Sequence, residues 1–94
     1  MNLKNQHPEN KEVSFVSIFK GSEGTVTSMS LAKGGELTTH VSKVPALLIC
    51  VSGQAVFSTE GKKEVLNPGD YLEIIPLEEH WVTGNEDSQL LLIK

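Results

Sequence analysis

From residue 13 onward the chain alternates short apolar stretches with turns marked by glycine and proline. Residues 13–19 (VSFVSIF) and 25–31 (TVTSMSL) are rich in β-branched and apolar side chains. They are bounded by a Gly21-Ser22-Glu23-Gly24 turn and by Lys33-Gly34-Gly35, which predicts two strands. Residues 36–41 predict a short polar strand. Residues 46–51 (ALLICV) form an unbroken apolar run, the pattern of a strand covered on both faces. Ser52-Gly53 ends that run, and residues 54–58 return as the partner of a hairpin. Residues 63–66, 71–75, 80–83 and 88–93 complete the set, with Asn67-Pro68-Gly69-Asp70 as a turn in which Pro presets φ and Gly accepts a positive one. No window holds helical periodicity over a dozen residues. Eight or nine short strands at this spacing predict an all-β barrel or sandwich.

Residues 1–12 break the pattern. They are polar, with Pro8 and mixed charges, and read as a loose arm or as a segment ordered by packing on another surface, ahead of one β-domain over 13–94. At 94 residues there is material for one domain and a modest core, so a partner subunit would help. The net charge is −4 and arginine is absent, which sets nucleic acid aside because phosphate binding needs a basic face. No apolar run reaches the ~18–20 residues of a membrane helix, and the N-terminus lacks the apolar core of a secretory signal. A single cysteine, Cys50, cannot close an intrachain disulfide, and a cytoplasmic setting is expected.

Two of the three histidines stand where chemistry is plausible. Gly34, His40, Ser42, Ala46 and Gly53 follow one another with gaps of five, one, three and six residues. Further on, Gly69-Asp70 opens a stretch that runs through Pro76 to His80. Together these resemble the two motifs of the cupin superfamily, over roughly residues 25–94, and the closing EDSQLLLIK resembles the last strand of small single-domain cupins. The second motif departs from the family form: its proline lies one place late and the following glycine is missing. Anchoring on Pro76 instead would set Trp81 at the histidine position and Asn85 at the closing Asn. The alignment anchored on Gly69 keeps a histidine in place. The resemblance implies a cupin double-stranded β-helix, a jelly-roll-like barrel.

Metal-binding cupins typically offer three histidines and a glutamate inside the barrel. Carried over residue by residue, His40 and His80 keep ligand chemistry, while Ser42 and Ala46 stand at the second His and the Glu. A hydroxyl is a poor ligand and alanine none, so the resemblance implies a partial two-His site with at most low-affinity Zn, Ni, Mn or Fe. With a strand period of two, the interior wall would include Ser42, Ala46, Leu48 and Cys50, with Met29 beside them and Trp81 offering a stacking surface at the mouth. Mostly apolar walls with a few convergent polar groups suit a small-molecule ligand bearing a hydroxyl, carbonyl or carboxylate. The expected function is therefore ligand binding by a degenerate cupin. The alternative is a metal-dependent isomerase or oxygenase using His40 and His80. A third possibility is a dimeric scaffold, since small cupins pair through barrel edges and a homodimer is expected on that ground.

Overall fold

The computed structural model describes residues 1–94. Nine strands follow one short 3-10 turn at Leu3–Gln6: β1 (Val13–Lys20), β2 (Thr25–Leu31), β3 (Glu36–His40), β4 (Ala46–Ser52), β5 (Ala55–Thr59), β6 (Lys62–Leu66), β7 (Tyr71–Ile74), β8 (His80–Gly84) and β9 (Ser88–Ile93). They form a five-stranded sheet in the order β1-β2-β9-β4-β7 and a four-stranded sheet in the order β3-β8-β5-β6. Every pairing is antiparallel. The β1–β2 and β5–β6 hairpins each stay within one sheet, and every other step along the chain crosses to the opposite sheet, which is the jelly-roll arrangement.

The inner faces meet in one core of Met29, Leu31, Ala46, Leu48, Cys50, Ala55, Phe57, Leu66, Ile74, Val82 and Leu90. Alternation does most of the sorting. Along β4, residues 46, 48 and 50 are buried while Leu47 and Ile49 are half-buried and Val51 is exposed. The unbroken apolar run was expected to be covered on both faces; within this chain only one face is, because β4 lies in the outer layer with no third layer behind it. The same outer face carries Val26, Leu91 and Ile93, register neighbours across β2, β9 and β4.

The N-terminal segment is tied down by one side chain. His7 is buried on the outer face of β1 and β2, with Nδ1 2.8 Å from Ser14 Oγ and Nε2 2.8 Å from Ser28 Oγ. Ser14 and Ser28 are outward positions on their strands, yet both are buried, because the segment lies over them. Burial lowers the His7 pKa below the ordinary imidazole value.

Candidate functional site

One end of the barrel holds a small cavity. There the ends of β3, β4, β7, β8 and β9 bring together His40, Ala46, Ile74, His80 and Leu92, with Met29, Leu48 and Val82 beneath them and Phe15, Val41 and Lys94 around the rim. The enclosed space is about 50 Å³, far below the ~300–1,000 Å³ of ordinary ligand pockets, so only a group of a few atoms fits inside. Phe15 and Val41 are exposed, and a larger ligand would extend across them.

The two histidines meet. His80 Nε2 and His40 Nε2 lie 3.0 Å apart, with ring centroids 4.2 Å apart and planes at 65°. His80 is 2 % exposed; its ring stacks on Phe57 at 5.1 Å, and its Nδ1–H donates to Glu78 O at 3.0 Å. His40 is exposed on the rim, and its Nδ1–H donates to Thr38 O at 2.9 Å. A register shift in the β3–β8 pairing, between Leu37 and His40, explains how both of these β3 residues reach one cavity. Residues three apart alternate faces in a regular strand, and a bulge re-aims one of them. Burial lowers the His80 pKa against a raising hydrogen bond to Glu78 O, and His40 and Lys94 add to the lowering.

Met29, Ser42, Ala46 and Leu48 line the cavity together with the histidines. Cys50 and Trp81 do not, and those two expectations are corrected. Cys50 shares the inner face of β4 but lies farther along the strand from the cavity, fully buried, its Sγ–H donating to Ser52 O at 3.5 Å. Burial and the nearby Asp70 raise its thiol pKa, the direction of an inert thiol. Trp81 follows inward-facing His80 on β8, so the period of two turns it to the outer side, half-buried. Glu73, Glu78 and Glu79 are exposed and contribute no carboxylate to the wall, and His7 sits on the far side of the sheet. Phe15, Leu37, Ile74, Val82 and Leu92 were not foreseen. Register pairing could have flagged two of them, since Phe15 pairs with Met29 and Leu92 with Leu48.

The fold and both motifs define a cupin, and the sequence profile of the cupin domain family matches residues 27–94; the chain belongs to that family. Solved structures agree on the fold. A cupin superfamily protein from Desulfitobacterium hafniense is 22 % identical with a TM-score of 0.83, covering 94 % of this chain and 80 % of its own. A cupin-2 domain protein from Shewanella frigidimarina is 15 % identical with a TM-score of 0.84, covering 100 % and 92 %. KdgF from Halomonas sp. is 18 % identical with a TM-score of 0.80, covering 95 % and 87 %. No curated protein matches the sequence. No helix is long and apolar enough to cross a membrane.

Cupins commonly hold a metal, and the donor set here tests whether one fits. Two imidazoles are present; Ala46 has no donor atom, Ser42 Oγ–H is committed to Val44 O at 2.7 Å, and no carboxylate lines the wall. No group of three His, Cys, Asp or Glu side chains is placed to hold an ion. The observed nitrogen separation is too short for two ligands of tetrahedral zinc and suits a cis pair on an octahedral ion, but such an ion would have no third protein donor. These residues do not fit a tight divalent centre.

Proposed function

We propose that the protein is a binding module that takes a compact, largely apolar ligand at the cavity end of the barrel, with the head group of the ligand on the His40–His80 pair. The observation that carries this is the convergence of two Nε2 atoms at 3.0 Å on an otherwise apolar wall. Few polar groups aimed at one point among apolar side chains is the usual composition of a small-molecule site. Metal-dependent isomerase or oxygenase chemistry is the less supported alternative, since the second His and the Glu of the family pattern are Ser42 and Ala46.

A fragment titration followed by backbone amide resonances tests it. Fragments of up to about seven non-hydrogen atoms should give saturable shifts confined to the neighbourhood of Met29, Leu48, His80 and Val82. Protein purified without an affinity tag should carry only traces of Fe, Mn, Ni or Zn, and added Zn should bind weakly. Near-stoichiometric metal, retained on dialysis, would reverse the choice between the two functions.

The same reading includes a homodimer. Leu47, Ile49, Leu91, Ile93 and Val26 make an apolar stripe on the outside of the five-stranded sheet, flanked by exposed Phe19 and Tyr71. Monomeric proteins rarely leave so continuous an apolar face in water. A second copy of the same face covers it isologously. Sedimentation velocity at micromolar concentration should give a dimer, and Leu91→Glu should shift it to monomer while leaving the cavity intact. A monomeric wild-type protein would rule the interface out.

A further inference from the structure

With both rings neutral, the contacts of the histidine pair require more hydrogens than the pair possesses. Backbone carbonyls only accept, so His40 Nδ1, 2.9 Å from Thr38 O, and His80 Nδ1, 3.0 Å from Glu78 O, must each carry a hydrogen. A neutral imidazole has one N–H. Both Nε2 atoms are therefore bare lone pairs, and they face each other at 3.0 Å. Two lone pairs so placed repel, and nothing else on the wall relieves them. Ser42 Oγ–H is already donated to Val44 O, and the remaining polar group, Lys94, belongs to the rim.

We infer that the cavity selects hydrogen-bond donors: it takes the hydroxyl or N–H of an uncharged ligand and discriminates against carboxylates and against donor-free molecules of the same shape. This rests on the ligand-binding reading above and adds to it the polarity of the head group. A donor oxygen or nitrogen about 3 Å from each Nε2 completes a triangle with them and shares its hydrogen with both lone pairs, a three-centre bond. The backbone carbonyls keep each Nδ1–H in place, so neither ring gains by turning its own hydrogen inward. A carboxylate brings only further lone pairs. Lys94 at the rim attracts an anion in general, but it does not supply the hydrogen missing between the two Nε2 atoms.

The test uses the full chain at pH 8. Phenol, toluene and butyrate are titrated while the ring nitrogen resonances of His40 and His80 are followed. In the free protein both rings should be Nδ1–H tautomers. Phenol should bind at least about tenfold more tightly than toluene or butyrate, the effect of one well-made hydrogen bond. His40→Leu, a change at an exposed position, should cut the advantage of phenol over toluene to below about threefold. An Nε2–H on either ring of the free protein overturns the inference, as does toluene or butyrate binding as tightly as phenol. Equal binding of all three leaves the binding module standing and removes donor selection; binding of none removes both.

Discussion

Gly53→Ala should lower the unfolding free energy by about 2–5 kcal/mol, a large share of the ~5–15 kcal/mol of a small domain. Two causes add. Gly53 ends β4 with φ of +80°, in the left-handed region where a Cβ is strained. A Cβ built there also lies 2.2 Å from Asp87 O and 2.6 Å from Ser88 Oγ, both outside β4 and β5 and neither at the end of a flexible chain. Moving Ser88 disturbs more than itself, because its hydroxyl accepts from Gln54 N–H at 3.0 Å and lies 2.8 Å from Glu86 O. Gly34→Ala is the matched control. Its φ is +81° but nothing lies within 4 Å of the added Cβ, so it should lose only the conformational part, about 1–2 kcal/mol. Urea unfolding of both variants measures the difference. Equal losses would mean that the β4–β5 turn yields to the extra atom. Gly53 lies at the end of the barrel opposite the histidines, so a folded Gly53→Ala protein should bind fragments as the wild type does.

Removing the His7 side chain should cost about 1–3 kcal/mol, since Ser14 and Ser28 would each lose a buried partner. The pH dependence carries a sign that can be worked out. Burial lowers the His7 pKa in the folded protein below its unfolded value near 6.5. Between the two values the unfolded chain binds the extra proton, so stability rises with pH there. The contribution is complete above about pH 6.5 and is lost as the pH falls through the folded value. His80, lowered chiefly by its own burial, acts in the same direction. Urea unfolding between pH 8 and pH 5 should therefore show falling stability on acidification, with a shallower slope in His7→Gln, where no proton is taken up at that position. An unchanged slope in His7→Gln would assign the whole effect to His80 and to other groups. Proteolysis within residues 1–12 should also accelerate in His7→Ala, because this side chain ties the segment to β1 and β2.

Strand identity and order were legible in the chain because local chemistry sets them. The runs at 25–31 and 88–93 coincide with β2 and β9, and the other strands end within about two residues of the turns that bound them. Alternation along β4 put Ala46 and Leu48 on the inner face, and spacing alone related His40 to His80 across forty residues. Trp81 lies outside the cavity rather than at its mouth, as alternation along β8 requires: a residue beside an inward histidine faces out. Cys50 lies outside it for a different reason. Face is a property of period, whereas depth along the barrel depends on which strand ends gather at the cavity.

Residue type and interval along the chain are enough to specify an all-β cupin with one histidine from each motif and with Ser42 and Ala46 at two of the usual ligand positions. Short-range sterics and hydrophobic period settle these features. The closing of the two sheets is what lets the β3 bulge turn His40 toward His80, sets the Thr38 and Glu78 carbonyls against the two Nδ1 atoms, and leaves an enclosed space of about 50 Å³. Packing of the N-terminal segment over β1 and β2 turns His7 from one residue of a polar arm into a buried anchor across two strands. Each of these depends on groups brought together by tertiary packing, and no interval along the chain encodes the distance between them.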